Sequence, residues 1–146
     1  MVMTGGRAKK HVIDVPGMGE SIGPFSRAIR VGDILYVAGT TALSHIGGDY
    51  YSRPLPKTIE DQTRRTLDNI VLSVEAAGGT IDDIFKVVIM LKNPEDYTRM
   101  NAVRAEFFPA TEMVSTTFCS PVMRDDILVE IEAMAVLDGN TENGHA

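Results

Sequence analysis

Seven of the eight residues in IFKVVIML, residues 84–91, are apolar, and four of them are β-branched. A run this short and this apolar, bounded by polar segments, predicts a strand buried at the centre of a sheet. It needs a neighbour on each edge, so the rest of the chain has to supply the other strands. The run LVEIEAMAV, residues 128–136, behaves differently. Here Ile127, Val129, Ile131 and Ala133 fall on one face, and Leu128, Glu130, Glu132 and Met134 fall on the other. The matching second face of the central strand carries Lys86, Val88 and Met90. Such a face is too apolar for open water and too charged for a core. It predicts an interface between copies of the chain that contains a polar cleft.

The remaining segments fit around that sheet. Residues 11–15 (HVIDV) predict a short strand, and SRAIRVGDILYVAGTT predicts a hairpin turning at Gly32-Asp33. Residues 44–57 contain Gly47-Gly48 and two prolines and predict a long loop, in which Tyr50 and Tyr51 are candidates to lid a pocket. A first helix starts near Thr58, with Ile59, Thr63, Leu67, Ile70, Val74 and Ala77 on one stripe, and Gly78-Gly79 stop it. Glu60–Arg64 and Asp61–Arg65 are spaced for i,i+4 ion pairs on its solvated side. A second helix has Asn93 as N-cap and Pro94 at its first position. Tyr97, Met100, Arg104, Phe107 and Phe108 share a face of it, and Pro109 ends it. Met90 and Met100 are expected in the core. Residues 113–136 predict two strands joined by a turn. The order strand, hairpin, helix, strand, helix, two strands gives an α+β fold, a mixed six-stranded sheet with two helices packed on one face. One domain over residues 11–137 is expected, with flexible tails at 1–10 and 138–146.

A net charge of −6 argues against nucleic-acid binding, because phosphate recognition needs a basic surface. A single cysteine makes neither an intrachain disulfide nor a paired-cysteine metal site, which suits a reducing, cytoplasmic setting. No signal-peptide h-region or membrane-length apolar run is present. His11, His45 and His145 have no metal-ligand spacing, so no metal site is expected. The glycine pairs lack the surroundings of a phosphate loop.

The stretches GPFSRAIRVGDILYVAGT, TIEDQTRRTLDNIVLSVEAAGGTIDDIFKVVIML, MNAVRAEFF and LVEIEAMAV resemble the Rid/YjgF family of imine and enamine deaminases. The likeness runs from about Gly23 to Val136. It implies a chorismate-mutase-like fold, a homotrimer with ligand clefts between subunits, and no cofactor. It also implies hydrolysis of a reactive imine or enamine to a carbonyl compound and ammonia. By the same likeness Glu130 is the catalytic carboxylate that positions the attacking water. The arginine that grips the substrate carboxylate in that family falls here on Ser115, or on Val114 with a one-residue insertion. The nearest arginines in sequence are Arg104 and Arg124.

Other departures surround the same cleft. Phe25 stands where the family has tyrosine, Ala38 precedes Gly39 where it has serine, and Thr117 follows the arginine position. With Asn101 and with Cys119, which shares the parity of Ser115 and Thr117, these residues are the expected substrate-binding set. Glu132 shares the face of Glu130 without the family match. A substrate whose carboxylate is absent or distant follows, aminomuconate-type intermediates of aromatic amine catabolism being one such class. The alternative is a non-catalytic trimer that binds a small ligand as a sensor or partner module.

Overall fold

The chain runs β1 (Lys10–Val12), β2 (Ala28–Val31), β3 (Ile34–Thr40), α1 (Ile59–Ala76), β4 (Ile84–Leu91), α2 (Tyr97–Phe107), β5 (Val114–Cys119), β6 (Val129–Val136). The computed structural model describes residue 6, residues 8–46 and residues 48–138, so the expected tails lie mostly outside the described residues. The six strands form one sheet in the order β1-β2-β3-β6-β4-β5. β4 and β5 are parallel, and every other neighbouring pair is antiparallel. The fold is the expected α+β arrangement.

Local chemistry accounts for the elements. Gly32 takes φ +60° at the first central position of the β2–β3 turn, a conformation costly for any residue with a Cβ. Arg30 closes the same turn, its Nε donating to the Gly32 carbonyl at 2.8 Å. At the start of α1 the Thr58 hydroxyl accepts the Asp61 N–H at 3.2 Å. At its end the Gly79 N–H reaches the Val74 carbonyl and the Gly78 N–H reaches Glu75, a Schellman stop made possible by φ +88° at Gly78. Ile59, Leu67, Ile70 and Val74 then face Leu35, Val37, Val87, Ile89, Val129 and Ile131 in the core. Each such side chain contributes roughly 1.5–3 kcal/mol on burial.

Several expectations are corrected. The two strands expected over residues 113–136 are present as β5 and β6, with β4 lying between them in the sheet. β5 returns parallel to β4 by way of α2, so β6 has to add at the other edge of β4. The i,i+4 pairs of α1 give way to partners nearer α2: Arg64 meets Asp61 at 3.4 Å and Glu106 at 3.3 Å, and Glu60 meets Arg99 at 3.7 Å. The second helix opens with a 3₁₀ turn, Pro94–Asp96, and the Asn93 side chain makes no capping bond. Its buried residues are Met100 and Val103, whereas Tyr97 is exposed. Met90 is half-buried on the bare face of the sheet, level with Glu130, rather than in the core.

The loop of residues 44–57 is tied down. Buried Gln62 on α1 donates to the carbonyls of Pro56 and Asp126, both at 2.8 Å, and accepts the Leu128 N–H at 2.8 Å. Arg124 donates to the Tyr50 and Arg53 carbonyls at 2.8 and 3.0 Å. Its other edge pairs with Asp126 at 2.6 Å. These two side chains bind the loop to the β5–β6 connection.

Candidate active site

β3 carries one extra residue against β6: Val37 pairs with Ala133, but Thr40 pairs with Ile131. This bulge falls on Ala38 and Gly39 and turns the β3 backbone toward Glu130. A Cβ at position 39 would lie 2.5 Å from Glu130 Oε1, so glycine there makes room for the carboxylate. Glu130, Gly39, Ala38 and Phe25 line one cavity of about 280 Å³. Tyr50 from the anchored loop lines it too, and so brings a phenol to the site where Phe25 brings none.

The electrostatics follow from that geometry. Burial holds the Glu130 carboxyl above the usual carboxylate range, and the neighbouring charge of Glu132 adds to the effect. The Tyr50 phenol is raised by burial first and then by the charge of Glu130, so it stays protonated as a hydrogen-bond donor. A carboxylate whose proton affinity is raised, beside a neutral donor, can take a proton from water and return it later.

The other expected residues stand elsewhere in the chain. Ser115, Thr117 and Cys119 pair with Val87, Ile89 and Leu91, which puts them on the helix side of the sheet at its β5 edge. Glu130 pairs with Met90 and faces the opposite way. Ser115 and Asn101 line a second hollow of about 310 Å³. There the Arg104 guanidinium donates to the Ser115 hydroxyl at 2.6 Å. An arginine therefore does reach position 115, from α2 rather than from the strand. Buried Asn101 Oδ1 has no hydrogen-bond partner among the described residues. Cys119 is exposed.

Other residues of the Glu130 cavity were not singled out as site residues from the sequence. Arg27, Arg53, His45 and Asn69 line it. Asn69 donates to the Thr41 carbonyl at 3.0 Å, and its Oδ1 lies 3.0 Å from His45 Nε2. Burial lowers the His45 pKa, so the ring is neutral and Nε2 is the donor to Asn69. The available signal was polar Gln62, Asn69 and Ser73 at helical spacing on the buried side of α1. Among the described residues no group of three or more His, Cys, Asp or Glu is placed to hold a metal ion.

A family model described as Endoribonuclease L-PSP matches residues 18–137. The chain belongs to this family. A RutC family protein of Pyrococcus horikoshii is 36% identical to this L-PSP chain over 126 residues, 86% of the chain and 97% of that protein. A 2-iminobutanoate/2-iminopropanoate deaminase of Dermatophagoides farinae is 29% identical over 129 residues, 88% of this chain and 98% of that protein. The crystal structure of Escherichia coli TdcF with bound serine superposes with a TM-score of 0.78 at 26% identity, covering 88% of this chain and 98% of that one. The L-PSP family thus includes imine deaminases of the same fold and nearly the same length. No helix among the described residues is long and apolar enough to cross a membrane.

Proposed function

We propose that the protein hydrolyses a reactive imine or enamine metabolite to a carbonyl compound and ammonia. The observation that carries this reading is the Glu130 carboxylate, raised in proton affinity by burial and seated in a cavity made by the Gly39 bulge. Water held by Glu130 adds its oxygen to the imine carbon and gives Glu130 a proton. The addition product takes that proton back on nitrogen to give the carbinolamine; its hydroxyl proton then passes by way of Glu130 to the nitrogen as the C–N bond breaks, leaving the carbonyl compound and ammonia. An enamine enters the same route after protonation at carbon. The names of the relatives favour turnover over a non-catalytic binding module.

We read the active form as a cytoplasmic homotrimer with clefts between subunits. The bare sheet face supports assembly: Tyr36, Val114 and Phe118 are exposed on it beside half-buried Val88 and Met134. The cavity they share with Glu130 supports substrate contact by Phe25, Ala38 and Gly39. Contact by Asn101, Ser115, Thr117 and Cys119 requires the β5 edge of one subunit to meet the Glu130 cavity of the next. The guanidinium at position 115 is that of Arg104 and already donates to the Ser115 hydroxyl, so we take the substrate to be one whose carboxylate lies away from the imine carbon, an aminomuconate-type intermediate being an example.

The test is ammonia release from imines generated in the assay. Glu130→Gln keeps the volume and removes the base, so turnover falls by about 10²–10⁴. Unchanged turnover in a folded variant would overturn the assignment.

A further inference from the structure

The Glu130 cavity has a second chemical character besides its acid. Arg27 and Arg53 both line it, and neither has a carboxylate partner among the described residues. Arg30, Arg64, Arg99 and Arg124 each face one. Two half-buried guanidiniums on one wall are unusual in a chain with net charge −6. Arg27 is fixed by backbone carbonyls alone, donating to Met18 at 2.7 Å, Glu20 at 3.1 Å and Gly19 at 3.4 Å. Those carbonyls orient the guanidinium and leave its charge uncompensated. Arg53 is held by its backbone, whose carbonyl Arg124 grips, while its Nε touches only the Gly48 carbonyl at 3.4 Å.

We propose that Arg27 and Arg53 form an anion subsite in this cavity, taking a carboxylate that the substrate carries away from its imine carbon. The assignment rests on the reading of Glu130 as the water-holding group. Burial and the charge of Arg53 both lower the Arg27 pKa, so an anion between the two relieves their mutual repulsion. Among the described residues no arginine lies within ion-pair distance of Glu130, whose charged neighbour is Glu132, so neither arginine neutralises the catalytic acid. The anion and the reacting carbon therefore occupy separate parts of one cavity. Neutral His45 and Asn69, already bonded to each other, line the wall without competing for the anion.

Calorimetric titration of the full chain with glutarate, and with its neutral isostere glutaramide, tests the subsite. Glutarate binds, and glutaramide binds at least about tenfold more weakly. Arg53→Gln weakens glutarate about ten- to a hundredfold, the value of a hydrogen bond to a charged group. Arg53→Lys keeps part of the affinity, because it keeps the charge without the fork. Arg64→Gln, on the outer side of α1, changes nothing. Equal binding of the two ligands, no binding of glutarate, or binding within twofold of wild type by Arg53→Gln would each overturn the proposal. Ammonia release is a separate reading. If glutarate binds as described and no imine is turned over, the deaminase assignment falls and the subsite stands.

Discussion

Glu130 is where one residue's environment becomes chemistry. Its folded-state carboxyl holds a proton more tightly than the unfolded chain does, through burial and Glu132. Between the unfolded and folded pKa values the native state binds more protons, so stability falls as pH rises through that window. The penalty is fully present above it. Glu130→Gln cannot titrate, so its stability advantage over wild type is absent in acid, grows through the carboxylate range and then levels off. Urea unfolding of both proteins from about pH 3 to about pH 8 checks this; a gain that shrinks with rising pH would reveal a cation pairing with Glu130. Alternation in β6 made this acid legible in the sequence. Arg27 and Arg53 were not, because a lone polar residue beside a hairpin or in a loop follows no period.

Among the elements, the loop of residues 44–57 behaves least like its sequence. Two prolines and paired glycines read only as a long loop, yet bonds from Arg124 and Gln62 hold it on the body. Arg124 lies 74 and 71 positions from the two carbonyls it holds, so local turn signals could not reveal it. Arg124→Gln removes the fork that carries both loop carbonyls and the Asp126 pair. The outcome expected is faster amide exchange across residues 48–54 with α1 unaffected, and a several-fold rise in KM, since Tyr50 and Arg53 lose their footing. Exchange that quickens equally in α1 would mean the substitution had loosened the whole molecule. The helices and β4 were legible for the opposite reason: caps, stripe and apolar run are local. The pairing of β5 with β4 was hidden, because a parallel crossover leaves no turn signature between the strands it joins.

For the whole molecule, the uncovered sheet face is the dominant fact. Lys86, Val88 and Met90 on β4 lie level with Met134, Glu132 and Glu130 on β6, and β5 adds Val114, Thr116 and Phe118. Light scattering at micromolar concentration should give three times the chain mass. Val88→Glu sets a second carboxylate directly across from Glu132, and like charges opposite one another on neighbouring strands repel. That variant should scatter as a monomer while keeping its far-ultraviolet dichroism. A wild type that scatters as a monomer would remove the assembly and with it any role for the β5 edge in the cavity. The alternating pattern of β6 points to a partner, and the expected count of three rests on the family likeness alone.

β6 is the last strand among the described residues and the one that closes the middle of the sheet, between β3 and β4. Everything before it makes two incomplete pieces, a three-stranded meander ending at β3 and a βαβ unit open along β4. A nascent chain on the ribosome therefore carries two bare backbone edges until residues 129–136 have been made. Such edges pair readily with other chains. The strand that holds Glu130, the proposed catalytic carboxylate, is also the one that ends this exposure, so a copy lacking it through premature termination would fail by aggregating before its chemistry could be tested.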